Sequence, residues 1–216
     1  MTSEAILKAV KEAREKGGKR NFSQSFDLSI ALKGMDMKKP ENKIKVEIAL
    51  PKGIGKELKI GAFLDALIPA AKNIENIVII KKDEIEGYSR DKKSARSLAK
   101  QCFAFLSEAP LMPTVGRAFG PVLAVRNKMP KPIPPNLPDL AGFVKRLRGT
   151  IRLAVKESPV LNCIVGSEKM ADGDIAENVE AVIKAVEGAA PKGKEQIRTV
   201  YLKLTMGEPI KVGQNG

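Results

Sequence analysis

The sequence predicts an α/β fold in two parts: an α+β domain made from both chain ends, and an α/β domain inserted between them. Three features predict it. Near both ends, strands alternate large apolar residues with polar or small ones. In the middle, short unbroken apolar runs alternate with helical patterns. The style changes near residue 60 and changes back near residue 150. Side chains along a strand point to opposite faces in turn, so a half-buried strand alternates, whereas a parallel strand covered on both faces reads as a continuous apolar run. Residues 1–62 and 151–216 are therefore assigned to the first domain. Residues 63–150 are assigned to the second, with a parallel sheet.

Taken in order, Ile6, Leu7, Val10 and Ala13 recur at helical spacing, with Gly17 and Gly18 as the stop. Phe26, Leu28, Ile30 and Leu32 alternate as a strand, which Lys38-Lys39-Pro40-Glu41-Asn42 ends. Ile44, Val46, Ile48 and Leu50 form a second alternating strand. In the middle segment, Ala62 to Ala71 reads as a helix and Ile77-Val78-Ile79-Ile80 as a buried strand. Ala95 to Leu106 reads as a helix, Leu111-Met112 begins another strand, and Leu140 to Leu147 is a helix after a Pro-rich loop. Beyond 150, Ile151, Leu153 and Val155 alternate, Val160 to Val165 is a strand, and Asp174 is placed to cap a helix lined by Ile175, Val179, Val182, Ile183 and Val186. Val200, Leu202 and Leu204 make the last strand. The late strands are expected to share one sheet with the two early ones.

Composition narrows the function. Lys+Arg is 38 against Asp+Glu 25, a net +13, which points to a polyanionic partner: nucleic acid ahead of a membrane surface or an acidic protein. Residues 1–62 carry +6, residues 63–150 carry +7 and residues 151–216 are neutral, so the excess belongs to both domains. Its densest stretch, 115–148, includes Arg117, Arg126 and Lys128, read as a secondary basic patch. No run reaches the roughly 18 apolar residues that a membrane span needs, and the charged N-terminus has no signal-peptide core, so a cytoplasmic protein is expected. Histidine is absent and there are two cysteines, which removes imidazole triads, His-ligated metal and four-thiolate zinc. No metal or cofactor is expected, and no catalytic residues are assigned. Cys102 and Cys163 read as buried, inert thiols in a reducing compartment.

Two glycine motifs fall short of nucleotide loops. Lys52-Gly53-Ile54-Gly55-Lys56 has Glu57 where a phosphate loop needs a hydroxyl on magnesium, and reads as a turn between strand and helix. Gly116-Arg117-Ala118-Phe119-Gly120 lacks the third glycine of a dinucleotide fingerprint and reads as a turn. Lys19-Arg20-Asn21-Phe22-Ser23-Gln24-Ser25-Phe26-Asp27 offers cations, a ring and hydroxyls at a strand entrance, the groups that RNA recognition uses. It reads equally as a helix–strand connection with Phe22 in the core. Thr205-Met206-Gly207 closes the last strand and is by itself a weak signal.

Together these segments resemble the universal large-subunit ribosomal protein one family, in its archaeal form. The resemblance covers essentially the whole chain. It rests on Asn21 to Asp27, Ile164-Val165-Gly166, Lys128-Met129-Pro130-Lys131-Pro132, and above all Arg198-Thr199-Val200-Tyr201 leading into Thr205-Met206-Gly207. It implies a discontinuous two-domain fold whose inserted part is a three-layer, Rossmann-like unit. It implies an rRNA site at Phe22, Ser25, Asp27, Gly166, Thr199, Thr205, Met206 and Gly207, to which the local reading adds Lys19 and Arg20. The partners implied are the large-subunit rRNA of the mobile stalk, deacylated tRNA at the exit site, and the protein's own messenger RNA, whose translation it would repress; the free protein would be a monomer. One departure is Ala124-Val125-Arg126-Asn127, where the family usually has Gly-Pro-Arg-Gly. Asn127 can take the left-handed conformation of a glycine. Ala124 and Val125 do not mimic Gly-Pro so readily.

Two other classes compete. One is a cytosolic enzyme that uses the inserted domain for a phosphorylated ligand, and the other is a general basic nucleic-acid-binding protein. Asp27 favours RNA over the latter. A carboxylate is out of place beside a phosphate but can accept from a 2′-hydroxyl, which DNA lacks.

Overall fold

The structure is a computed structural model and describes residues 3–18, 20–34, 44–155, 158–191 and 193–213. In chain order its elements are α1 (Ser3–Lys16), β1 (Ser25–Leu32), β2 (Lys45–Ala49), β3 (Ile60–Leu64), α2 (Ile68–Ala71), β4 (Ile77–Lys81), α3 (Lys82–Arg90), α4 (Lys92–Gln101), β5 (Ala104–Glu108), α5 (Met112–Leu123), β6 (Lys131–Ile133), α6 (Leu140–Gly149), β7 (Thr150–Ala154), β8 (Val160–Ser167), α7 (Asp172–Ala189), β9 (Ile197–Leu204) and β10 (Ile210–Lys211). The chain divides into two compact units, Met1–Lys56 with Gly149–Gly216, and Glu57–Arg148. The break at Lys56 precedes β3. A boundary at 62 would cut that strand, whose five residues are all buried.

In the first unit, four strands form an antiparallel sheet in the order β10-β9-β1-β8. Phe26, Leu28, Ile30 and Leu32 of β1, and Val200, Leu202 and Leu204 of β9, are buried, as are Ile6, Ala9, Val10 and Ala13 of α1 and Val179, Val182 and Val186 of α7. Alternation thus sends one side of each strand under the two helices and leaves Asp27, Ser29 and Tyr201 on the other side. β2 and β7 pair with each other in a separate two-stranded sheet, so the terminal strands do not all share one sheet. These two strands lead into and out of residues 57–148, and a Leu50 N–H to Gly149 carbonyl bond of 2.9 Å closes the pair. The expected Asp174 cap is corrected too. α7 starts at Asp172 after Ala171, and both aspartates lie in its first turn, where they face the positive helix end.

The second unit is a parallel sheet in the order β4-β3-β5-β6. Ile60, Ala62, Leu64 and Leu106 pack on one side with Leu67, Ala71, Leu140, Val144 and Leu147, from α2, its approach and α6. Phe63, Ile80 and Phe105 pack on the other side with Ile85, Leu98, Val115 and Phe119, from α3, α4 and α5. This is a helix–sheet–helix sandwich. Phe63 stacks on Phe105 at 5.8 Å and meets Phe119 edge-on at 4.9 Å. Gly61 makes room for this: a Cβ there would lie 2.3 Å from the Phe105 ring.

Several middle elements differ from expectation. The helix expected over Ala62–Ala71 is the strand β3 followed by a single helical turn. The strand expected at Leu111-Met112 is a 3-10 turn running into α5, and the strand itself lies earlier, at Ala104–Glu108. In all-apolar runs the two periods are indistinguishable, and burial on both faces selected the strand. Gly116 to Gly120 is not a turn but the interior of α5. Asn127 does take the left-handed conformation, at φ 53°, while Ala124 stays helical and Val125 is exposed. The break expected at Lys38 to Asn42 lies outside the described residues.

Candidate nucleic-acid interface

The antiparallel register of β1 and β9 pairs Phe26 with Leu204, which sets the start of one strand beside the end of the other. The Thr205 N–H donates to the Ser25 carbonyl at 3.1 Å, and the Ser25 N–H donates to Thr205 Oγ1 at 3.1 Å. Ser25 also pairs with Ser167 at the end of β8. Three segments distant in sequence therefore share one edge of the sheet. The Thr205 hydroxyl also donates to the Ser25 carbonyl at 3.3 Å. With one lone pair taken by the Ser25 N–H, it keeps one acceptor position for a ligand.

Gln24 fastens this edge and is fully buried. Its Nε2 donates to the Gly17 and Gly18 carbonyls at 3.4 and 3.1 Å, and its Oε1 accepts from the Met206 N–H at 3.1 Å. Its own N–H donates to Glu168 Oε2 at 3.0 Å. Arg14 holds the adjoining loop: its guanidinium donates to the carbonyls of Glu168 and Met170 and to Asp172 Oδ1, and lies 5.5 Å over the Phe26 ring. On this fixed edge, Phe22 is 52% exposed and Met206 58%. Lys56, also exposed, reaches the edge from another loop and donates to Ser25 Oγ at 2.5 Å.

The structure thus brings together Phe22, Ser25, Gly166, Thr205, Met206 and Gly207. Phe22 is not in the core. Asp27 is half-buried one step along the same face. Thr199 lies six residues from Thr205, about 20 Å along β9, at the far end of the sheet. Arg20 is exposed, and Lys19 lies outside the described residues. Gly207 also lies close to its own chain. A Cβ there would lie 3.2 Å from Gly17 Cα and 3.3 Å from Leu204 Cβ, so a larger residue would need its neighbours to give by a few tenths of an ångström. Of the basic patch, Arg117 is exposed on α5 and Arg126 partly so, but the Lys128 ammonium donates to the Ala99 and Cys102 carbonyls at 3.0 and 2.7 Å. It caps the end of α4 and has one hydrogen left for a ligand. Burial lowers its pKa. Gln24, Lys56 and Arg14 were missed as site residues. The only sequence signal was a lone Gln between serines and a Lys after a Gly-Ile-Gly turn.

Burial raises the Asp27 carboxyl above its ordinary value, against the opposing pull of Lys203 and Lys56. The folded chain therefore holds that proton more tightly than the unfolded chain does. Ionising Asp27 destabilises the fold as pH rises through the raised value, and the penalty vanishes below the usual carboxylate range. Asp27→Asn should melt higher than the parent at neutral pH and level with it in acid. Thermal unfolding across that range checks this, and a variant that melts lower at neutral pH would contradict it. Cys102 is buried as expected, whereas Cys163 is only half-buried at the surface of β8; its pKa is pushed up to about 12, first by burial and then by Asp27, so it stays a thiol.

The competing ligand sites are filled from within. Doubly wound sheets usually take ligands beyond the strand ends where the order reverses, here between β3 and β5. There the Glu108 side chain, 2% exposed, accepts the N–H groups of Asp65 and Leu67, both at 2.9 Å. In the Lys52 to Lys56 turn, with Gly53 and Gly55 at φ 66° and 67°, the Lys52 N–H donates to Asn178 Oδ1 at 3.1 Å. The turn leads to β3, not to a helix. Among the described residues, no cluster of Cys, Asp or Glu could hold a metal, and no helix is long and apolar enough to cross a membrane.

Fold and site together describe an α/β protein whose usual ligand crevice carries its own Glu108 carboxylate. A profile of the ribosomal protein L1p/L10e family matches residues 8–208. The large ribosomal subunit protein uL1 of Pyrococcus horikoshii is 42% identical over 207 residues, 96% of this chain and 94% of its own. That of Methanobrevibacter smithii is 42% identical over 98% of this chain and 100% of its own, and that of Methanosarcina barkeri 40% over the same shares. The chain belongs to the ribosomal protein L1p/L10e family and is of archaeal type. It is a structural, non-enzymatic protein of the large ribosomal subunit and works on the ribosome in the cytoplasm.

Proposed function

We propose that the protein binds the rRNA of the mobile stalk near the tRNA exit site through the edge formed by Phe22, Ser25, Thr205 and Met206, and represses its own synthesis by offering the same edge to a similar fold in its messenger RNA. One observation carries this reading. The described first unit exposes Phe22 and Met206, two large apolar side chains, on a hydrogen-bonded edge beside Lys56 and Arg20. Rigid apolar surface next to cations and hydroxyls suits the ribose and phosphate face of an RNA minor groove. Deacylated tRNA is a further partner on this reading, with Arg117 and Arg126 as phosphate contacts.

The test is a binding titration on a stalk rRNA fragment at several salt concentrations, with a DNA of the same sequence as control. Met206→Ala and Phe22→Ala should weaken binding without changing its salt dependence, because neither group neutralises a phosphate. Arg20→Ala and Lys56→Ala should flatten the salt slope by about one unit each. Equal affinity for RNA and DNA, or full affinity in Met206→Ala, would overturn the reading. Residues 1–56 joined to 149–216 by a Gly-rich linker should fold and keep the RNA affinity. An unfolded product would refute the proposal that the two ends form a self-sufficient domain.

A further inference from the structure

The first unit carries a cavity that the edge leaves unused. It opens on the free face of the four-stranded sheet, holds about 600 Å³, and is lined by Asp27, Ser29, Asn162, Ile164, Tyr201 and Lys203, among others. The strand register explains its composition. Tyr201, Ser29 and Asn162 stand in one row across β9, β1 and β8, and Lys203, Asp27 and Ile164 stand in the next. Residues two apart on a strand share a face, so Thr205, Lys203 and Tyr201 run in line from the edge into the cavity, about 13 Å in all.

The open face of such a sheet is normally polar. Here Tyr201 is 37% exposed and Ile164 38%. Among the described residues of this unit, the exposed large apolar side chains are these two with Phe22 and Met206, all on the edge or in the cavity. The site does not suit a free phosphate, because the Asp27 carboxylate stands opposite Lys203. It does suit a flat, uncharged ring with hydrogen-bonding edges. Tyr201 supplies a stacking surface, Ile164 an apolar floor, and the Asn162 amide and Ser29 hydroxyl supply donors and acceptors. The volume is that of a small-molecule site.

We propose that this cavity holds one unpaired nucleoside of the bound RNA, its base stacked on Tyr201 and its edge toward Asn162 and Ser29. The proposal rests on the RNA-binding reading above and adds that the RNA must present an unstacked base.

The full-length chain is titrated with the stalk rRNA fragment. Tyr201→Ala should lose affinity about tenfold or more, as expected when an aromatic is removed from a stacked base, and Tyr201→Phe should bind like the parent. The protein has no tryptophan, so Tyr201→Trp provides a single indole whose fluorescence a stacked base should quench. If Tyr201→Ala folds and binds like the parent while Met206→Ala fails to bind, the cavity proposal falls and the edge stands. If the parent does not bind the fragment, both fall. If Tyr201→Ala does not fold, the indole decides: quenching at saturation supports the proposal, and an unchanged signal overturns it and leaves the cavity to an occupant other than a base. An equal loss in Tyr201→Phe also overturns it, because the hydroxyl and not the ring would then be the contact.

Discussion

Gln24→Leu is expected to destabilise the first unit by about 2–6 kcal/mol, since three backbone groups lose their partners, one of them buried at about 1–3 kcal/mol and two part-buried at about 0.5–1.5 kcal/mol each. The groups are the carbonyls of Gly17 and Gly18 and the N–H of Met206. Leucine nearly fills the volume, so the loss reports unpaired polar groups and not a cavity. Urea unfolding of the full chain measures it. Gln24→Glu is the informative companion. It keeps an acceptor for Met206 but sets a buried charge against two carbonyls. Its stability should recover as the pH falls and the carboxyl takes up a proton that it can donate. RNA affinity should drop in both variants, since the turn that presents Met206 is released. A loss below about 1 kcal/mol, the worth of one ordinary hydrogen bond, would show that Gln24 does not brace this edge.

Phe119→Ala is expected to cost about 3–5 kcal/mol, the range for removing a large aromatic from a core. Phe119 is fully buried, 4.9 Å from the Phe63 ring and 5.2 Å from Tyr88. It ties α5 to β3 and α3, so its loss falls on the second unit. RNA affinity, measured where the variant is still folded, should match that of the parent, because no residue of the proposed edge lies between 57 and 148. A parallel fall in RNA affinity would show that the second unit supports the site. A stability loss near zero would place Phe119 outside the core.

Strands with one wet face were legible because alternation requires it. β1, β8 and β9 appear close to where their apolar residues alternate. β3 and β5 were misread, since Gly61 to Leu64 and Ala104 to Leu106 are apolar throughout, and only the layers on both sides make them strands. Of the candidate site, Phe22, Thr205 and Met206 were found through motif resemblance. Lys56 stands in the sequence only as part of an incomplete phosphate loop, because no spacing rule links it to Ser25.

The sequence by itself determined the charge, the absence of imidazole chemistry, the family and the side chains offered to a ligand. Those follow from residue type and local pattern. Only the tertiary structure decided which of them meet. The Ser25 N–H and Thr205 Oγ1 are partners across 180 residues, and Gln24 joins the end of α1 to the turn after β9. Such bonds are set by strand register and by the need to pair every buried polar group, conditions imposed by the whole fold and invisible in any local window. The same holds for Gly207, which packs closely on Gly17, and for Lys128, whose charge is turned inward to cap a helix.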